Sequence, residues 1–495
     1  MAGLQLFVLP LVSSAHQRTM DSPRQSTPRA SGAFPKPRFF TTLRDHFSGE
    51  PNTWQQAYYV NASFHKPGGP VFLCVGGEGP PLDGSVVVSS VHCNNAVEWL
   101  QETGAIMFAV EHRYYGCHNM SACPYTPADP RPLQWLSSRQ ALADLAAFHA
   151  YATKAYALAG RKWVTFGGSY PGMLASWARL KYPSLFFASA SSSAPVIAKL
   201  DMQEYNDIVA AAYALPSVGG SASCRELIAR GHAEIGQMLS RPSGRAALVS
   251  LFSKLAHTSP SWLEVPANQR AFAGEGVAYF PAQSNDPTCL GYACNIARVC
   301  AVMTSQPTNA SAVERLAALA NGPSTTATEH VGKEENVEAP GTDTTVEARS
   351  LHSELDYWGY QTCTEFGFYQ TCEVGTQCFF TQGLDTLASN DGFCKKYGLS
   401  PPDIAANIAA TNAFYGAGRP DLPPHNASRI MYINGDVDPW HGLSILEPLT
   451  PDLPTLMVAG ASHHAWTHPS APSDQPSVVA ARLAIRKQLG AWLRL

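Results

Sequence analysis

Residues 163–183 read WVTFGGSYPGMLASWARLKYP, and the organisation of the whole chain follows from them. Trp163 to Phe166 are strand formers, Gly167 and Gly168 follow, Ser169 stands at the bend, and Met173 to Lys181 carries Met173, Leu174, Trp177 and Leu180 at helical spacing. A strand, a sharp turn and a helix with serine at the turn make a nucleophile elbow, in which small neighbours let the chain bend enough to expose the serine oxygen above a sheet. The second residue after the serine is Pro171 instead of the usual glycine. Proline lacks only an N–H and is tolerated in a helix's first turn, where that N–H has no intrahelical acceptor. The N–H that an oxyanion hole would use belongs to Tyr170, which keeps it. A strand-Gly-Gly-helix junction also collects a serine by chance, so a catalytic Ser169 requires partners elsewhere in the chain.

Outward from the elbow, the sequence supplies them. Val71 to Val75 is continuously apolar, as a strand buried on both faces should be, and it opens into Gly76-Gly77-Glu78-Gly79. In hydrolases with an elbow such a loop gives the second oxyanion donor, here Gly77, with Glu78 a candidate for touching substrate; an ordinary glycine turn would look the same. Ala105 to Val110 is a second buried strand, running into Glu111-His112-Arg113-Tyr114-Tyr115-Gly116 at the end where an α/β sheet places its site. His112 suits a structural role equally well. Ser137 with Gln140 forms a capping box that opens a helix to Tyr151, and Phe186 to Ser191 is a further strand. Near the C-terminus, strand Arg429 to Ile433 leads into Asp436 and Asp438, and strand Thr455 to Ala459 leads into His463 and His464. An amphipathic helix, Val478 to Leu493, closes the chain. Serine, acid and histidine thus come in the chain order of α/β-hydrolases. The expected fold class is α/β: an α/β-hydrolase fold with a doubly wound, mostly parallel sheet. Two aspartates compete for the role of acid, and two adjacent histidines, whose side chains point to opposite sides of extended backbone, compete for the role of base.

The 495 residues allow one large enzyme with an inserted domain. A net charge of −4 with 15% charged residues suggests neither a nucleic-acid partner nor a strongly charged substrate. Residues 1–15 have the apolar run and small residues of a signal peptide, and 16–37 read as a disordered leader. No later run reaches the ~18 apolar residues of a membrane span, so no membrane partner is expected. Of twelve cysteines, ten lie in loop-rich sequence that an oxidising compartment would pair, and Cys74, inside an apolar strand, reads as a free core thiol. No paired zinc-ligand spacing occurs, and neither metal nor cofactor is expected. Sequons at Asn61, Asn119, Asn309 and Asn426 are candidate glycosylation sites. The domain expectation is a first hydrolase part at 38–198, a helical cap insertion at 199–395 and a second hydrolase part at 396–495. Within the cap, 321–349 is polar and low in complexity, hence a disordered loop, and 351–394 is cysteine-rich and aromatic.

The motifs FLCVGGEGP, EHRYYG, LSSRQALADLA, GGSYPGMLASWARLKYP, YQTCTEFGFYQTC and NGDVDPWHGLS together resemble the serine peptidase family that includes lysosomal Pro-X carboxypeptidase, dipeptidyl peptidase 7 and thymus-specific serine protease. The cysteine-rich segment and DPWH resemble its thymus-specific type. The resemblance spans residues 38–495. It implies an α/β-hydrolase with a helical cap, an extracellular, lysosomal or vacuolar destination, and cleavage next to proline or a small residue near a peptide terminus. Its catalytic residues fall on Ser169, Asp438 and His463. Pro171 departs from the family's Gly or Ala, and Ala465-Trp466-Thr467-His468 departs from the short stretch ending in an acid that usually follows the histidine. Tyr360, Thr364, Glu365 and Trp440 are candidates for lining the pocket, with a buried core role the alternative for the aromatic ones. Glu365 would hold a substrate's free amine. A peptide is the expected partner, with a homodimer as a candidate assembly. The competing readings are an esterase or lipase of the same fold and a silent hydrolase-fold binding protein.

Overall fold

The computed structural model describes residues 34–253, 259–305, 307, 309–323, 355–390 and 392–495. The expected signal peptide, most of the leader and nearly all of segment 321–349 lie outside the described residues.

Ten strands are described: β1 (Arg38–Leu43), β2 (Thr53–Asn61), β3 (Val71–Val75), β4 (Ile106–Val110), β5 (Trp163–Gly168), β6 (Ala188–Ser192), β7 (Lys199–Asp201), β8 (Gly367–Tyr369), β9 (Ile430–Gly435) and β10 (Thr455–Val458). Eight of them form one sheet in the order β1-β2-β4-β3-β5-β6-β9-β10, while β7 and β8 pair separately. Strands β1, β2 and β4 run antiparallel to their neighbours in that series, and from β4 to β10 every pairing is parallel. The edge strand β1, RFFTTL, buries little besides Phe40 and Thr42 and has no continuous apolar run, which is why pattern reading passes over it.

The sheet is sandwiched by helices because its central strands are apolar on both faces. Along β3, Val71, Leu73 and Val75 enter one core, against α1 (Ser138–Ala155) and α2 (Tyr170–Lys181). Phe72 and Cys74 enter the other, against Trp99 and the C-terminal helix α8 (Pro476–Leu493). Ser137 caps α1 by accepting from the Gln140 N–H. A buried charge cluster pins the loop after β4 to this helix: the Arg113 guanidinium donates to both oxygens of Asp144 at 2.7 and 2.8 Å, and His46 lies 2.7 Å from the same carboxylate.

Between β6 and β9 the chain builds the cap from α3 (Gln203–Ala212), α4 (Ala222–Leu239), α5 (Ile296–Ser305) and α6 (Ala312–Ala320), with further short helices. Ile228, Ile235, Val299, Met303 and Leu316 fill its core, and Cys224–Cys300 joins α4 to α5. The cysteine-rich segment, expected to belong to the cap as a whole, is divided: Tyr357 packs with the loop after β4, and Cys363, Tyr369 and Cys394 form a cluster with Ile404 and Ile408. Phe366 and Phe368 pack with Tyr170 and Trp177 in the hydrolase core, whereas Cys372, Cys378, Phe379 and Phe380 pack in the cap. Helix α7 (Pro401–Tyr415) then returns the chain to the sheet, stacking Tyr415 on Trp177 at 3.7 Å.

Cys74 is not the free thiol expected from its strand: it is bonded to Cys93. Strand alternation turns Cys74 to the face where the Asn94–Val97 helix begins, which places the two sulfurs together. All twelve cysteines are paired, the others as 117–123, 224–300, 289–294, 363–394 and 372–378. Non-reducing peptide mapping is expected to recover a Cys74–Cys93 linked peptide. Replacing both cysteines by alanine should cost about 3 kcal/mol in denaturant unfolding, as for any closed loop of this order.

Candidate active site

The parallel strands β5, β9 and β10 all end at the same edge of the sheet, so whatever follows them is gathered there. After β5 comes Ser169, with φ 61° and ψ −134°, its N–H bonded to the Ser192 carbonyl at 3.0 Å and its own carbonyl accepting from Met173 of α2. A non-glycine residue held there costs about 1–3 kcal/mol and persists only where its surroundings enforce it. They do so through close approach. A side chain on Gly167 would come within 2.2 Å of the Pro171 carbonyl oxygen, one on Gly168 within 2.8 Å of the His464 ring, and one on Gly77 within 2.3 Å of the Pro171 ring. The proline is thus the wall against which the Gly77 loop is laid, bringing Gly77 beside Tyr170.

After β9, Asp438 is fully buried; one oxygen accepts from the Trp440 N–H at 3.1 Å, and the other lies 2.8 Å from Nδ1 of His463, which follows β10. The alternatives are occupied elsewhere. Asp436 accepts from the Gly460 N–H at 2.6 Å, a brace between two loops, and burial raises its pKa. His464 turns away with φ 36°: its N–H donates to Ser193 and its Nδ1 meets the Thr467 hydroxyl at 3.0 Å. Burial, with His463 and His468 beside it, drives its pKa well below the ordinary histidine value. Nε2 of His463 is buried and makes no hydrogen bond among the described residues. In the absence of substrate such catalytic hydrogen bonds are commonly slack.

Glu78 also reaches this point. Its carboxyl is buried, faces the Ser169 hydroxyl, the Tyr170 N–H and the His463 ring, and forms no hydrogen bond of good geometry among the described residues. Burial pushes its pKa up to about 7 against the opposing pull of those neighbours.

Behind the elbow stands a polar network. His112 donates from Nδ1 to the Arg113 carbonyl at 2.6 Å, which leaves Nε2 to accept from the Tyr170 hydroxyl at 3.0 Å. Burial lowers the His112 pKa to about 4, so the ring is neutral and this tautomer holds. Gln361 donates to the same Tyr170 hydroxyl and to Glu365, and accepts from Tyr115 at 2.7 Å. Glu365 does not face a pocket: its two oxygens accept from the N–H and hydroxyl of Ser138 and from Gln361, at the start of α1. Tyr360 packs edge-on to Tyr397, and Thr364 donates to the Tyr360 carbonyl. Of the four pocket candidates only Trp440 meets the acid-histidine pair, its ring centroid 6.5 Å from that of His463.

Gln283, from the cap, was not legible in the sequence. Its carbonyl oxygen accepts from the His463 N–H at 3.0 Å, and its side-chain oxygen accepts from Trp440 at 2.9 Å and Tyr205 at 2.7 Å. It lies in FPAQSND, which has no periodicity to single it out. Gln361 is inside the quoted YQTCTEF motif, so its place in the chain was visible, though not its partners. Among the sequons, Asn309 and Asn426 are exposed, while Asn61 donates to the Val87 carbonyl and Asn119 caps a short helix. Among the described residues no cluster of His, Cys, Asp or Glu could hold a metal, and no helix is long and apolar enough to cross a membrane.

A mostly parallel sheet with an elbow at its carboxyl edge, flanking helices and a cap inserted after β6 defines an α/β-hydrolase. Within that class, residues 43–485 match the serine carboxypeptidase S28 family, and the chain belongs to that family of serine peptidases. It is 34% identical to thymus-specific serine protease of Homo sapiens over 480 residues, covering 94% of this chain and 88% of that one. It is 26% identical to lysosomal Pro-X carboxypeptidase of Bos taurus over 484 residues, covering 92% and 87%.

Glu365→Gln is expected to cost about 1–3 kcal/mol in urea unfolding, because the amide cannot accept at both oxygens. The ratio of cleavage of free-amine to N-acylated peptides should not move.

Proposed function

We infer that the protein is a serine exopeptidase that works through Ser169, His463 and Asp438 and releases residues near a peptide terminus, next to proline or a similar small residue. The observation that carries this is the 2.8 Å pairing of buried Asp438 with His463 at the sheet edge that bears Ser169. Ser169 Oγ attacks the scissile carbonyl while His463 Nε2 takes its proton, and Asp438 holds the Nδ1–H tautomer and stabilises the imidazolium. In this reading the oxyanion is held by the Tyr170 N–H at the start of α2 and the Gly77 N–H in the loop after β3. The imidazolium returns its proton to the departing amine, and water then hydrolyses the acyl-enzyme by the same route in reverse.

The preference for chain ends rests on the cap. Gln283 and Tyr205 close over Trp440, next to His463, and a covered site admits a terminus more readily than the middle of a folded chain. The Trp440 ring beside His463 offers an apolar face suited to a proline ring, in keeping with the name of the Pro-X relative. Six disulfides favour folding in the secretory pathway, with an extracellular or lysosomal destination.

A fluorophosphonate probe is expected to label the protein, and Ser169→Ala to abolish labelling. Asp438→Asn should lower kcat by about 10⁴ by stabilising the wrong histidine tautomer. Mass spectrometry of a peptide library should then show cuts confined to one end. Folded protein that never labels, or cuts spread through peptide interiors, would overturn the assignment.

A further inference from the structure

Glu78 has no role in the triad, yet its carboxyl faces the Ser169 hydroxyl, the Tyr170 N–H and the His463 ring. Each element around it turns a group toward it: the loop after β10 brings His463, the elbow brings the Ser169 hydroxyl and the Tyr170 N–H, and the loop after β4 brings Tyr115. Asp438 lies behind His463. Both oxygens of Glu78 are buried, and the approaches of the Ser169 hydroxyl, the Tyr170 N–H and its own N–H all fall short of good hydrogen-bond geometry. A carboxyl placed for structural reasons alone would be paired, as Glu365 is with Ser138 and Gln361. One held this loosely beside a nucleophile is left for something that arrives with the substrate.

Only one protonation state suits that place. A carboxylate would accept the Tyr170 N–H that the oxyanion needs, and would set a negative charge against the negative oxygen that forms there. A carboxylic acid reverses both effects: it releases the N–H and supplies an O–H donor of its own. We propose that Glu78 works as a neutral acid at the oxyanion site, donating its O–H to the oxygen of the tetrahedral intermediate, and that its ionised form blocks the site by taking up the Tyr170 N–H. The proton stays on Glu78 throughout, so no bond is made or broken at this residue. The proposal rests on Ser169 being the nucleophile.

The burial that isolates the carboxyl also raises its pKa to about 7, so the competent form dominates in acid and is lost as pH rises through neutrality. The sign separates this role from its rival. If Glu78 anchored a substrate's ammonium group, the ionised form would be the working one, and activity would rise through the same pH range.

The rate of fluorophosphonate labelling, measured against pH on the full glycosylated chain, tests the proposal without a known substrate, because the probe's phosphoryl oxygen occupies the oxyanion site and the probe carries no ammonium. Wild-type labelling is expected to fall up to tenfold per pH unit above about 7. Glu78→Gln keeps a neutral hydrogen-bond donor, so it should label within about threefold of wild type in acid and lose the alkaline fall. Glu78→Ala should label about 10²-fold more slowly in acid, as when one oxyanion donor is removed. A folded Glu78→Gln that keeps the wild-type alkaline limb, or is as slow as Glu78→Ala in acid, overturns the role of Glu78 while leaving Ser169 intact. Wild-type protein that labels at no pH overturns both. Should the amide variant not fold, wild-type labelling that does not decline above neutrality is sufficient to overturn it.

Discussion

A serine held at positive φ between a strand and a helix is the constraint from which the rest of the site follows. The chain has no slack there: Ser169 is bonded back to β6 through its N–H and forward into α2 through its carbonyl. Every neighbour that crowds the bend must therefore be small or preformed. Gly167 yields to the Pro171 backbone, Gly168 to the ring of His464, and Gly77 to the ring of Pro171. The proline that departs from the common elbow pattern fits because its fixed φ is already helical and its missing N–H falls in the first turn. It also acts as a spacer: the Gly77 loop rests on its rigid ring, beside the start of α2.

The position of the Tyr170 N–H is secured from the other end of the same residue. The phenol is clamped between neutral His112 and Gln361, and Gln361 is in turn bonded to Tyr115 and Glu365. Glu365 closes the chain of contacts at the N-terminus of α1, where its charge faces the positive end of the helix. This network gives a physical reason for the division of the cysteine-rich segment. Phe366 and Phe368 back the elbow and pack with the sheet, and the Cys363–Cys394 bond ties this stretch to the turn preceding α7. Cys372, Cys378, Phe379 and Phe380 have no such duty and join the cap.

What could be read in advance follows from which features are local. The buried strands Val71–Val75 and Trp163–Gly168 announce themselves because both faces are apolar, and the elbow because its geometry demands small residues in fixed order. The choice of His463 over His464 was narrowed by resemblance alone. What separates them is the φ of 36° at His464, which turns one ring to Asp438 and the other under Gly168, and no residue pattern encodes that angle. The partners of Glu365 were hidden for a related reason. Its sequence neighbourhood is aromatic and polar like a pocket, but its partners Ser138 and Tyr415, the latter through Ser138, are separated from it by 227 and about 50 residues of chain. The bond of Cys74 to Cys93 was hidden because strand alternation sends the sulfur to a face whose occupant is a short helix with no strong periodicity.

The cap and the triad cannot be considered separately. Val437, the residue before Asp438, is buried in the cap's own core, and Gln283 from the cap accepts the His463 N–H with its backbone while holding Trp440 and Tyr205 with its side chain. Asp438 and His463 are therefore each fastened to the cap. In a simpler hydrolase a cap can vary freely because the triad is carried by the sheet alone. Here a change of the cap around Gln283 or Val437 also moves the backbone beside Asp438 and His463. The aromatic wall of Trp440 stays where it is because the same glutamine that orders the wall also orders the histidine, and a shift of either by one ångström would be felt by the other.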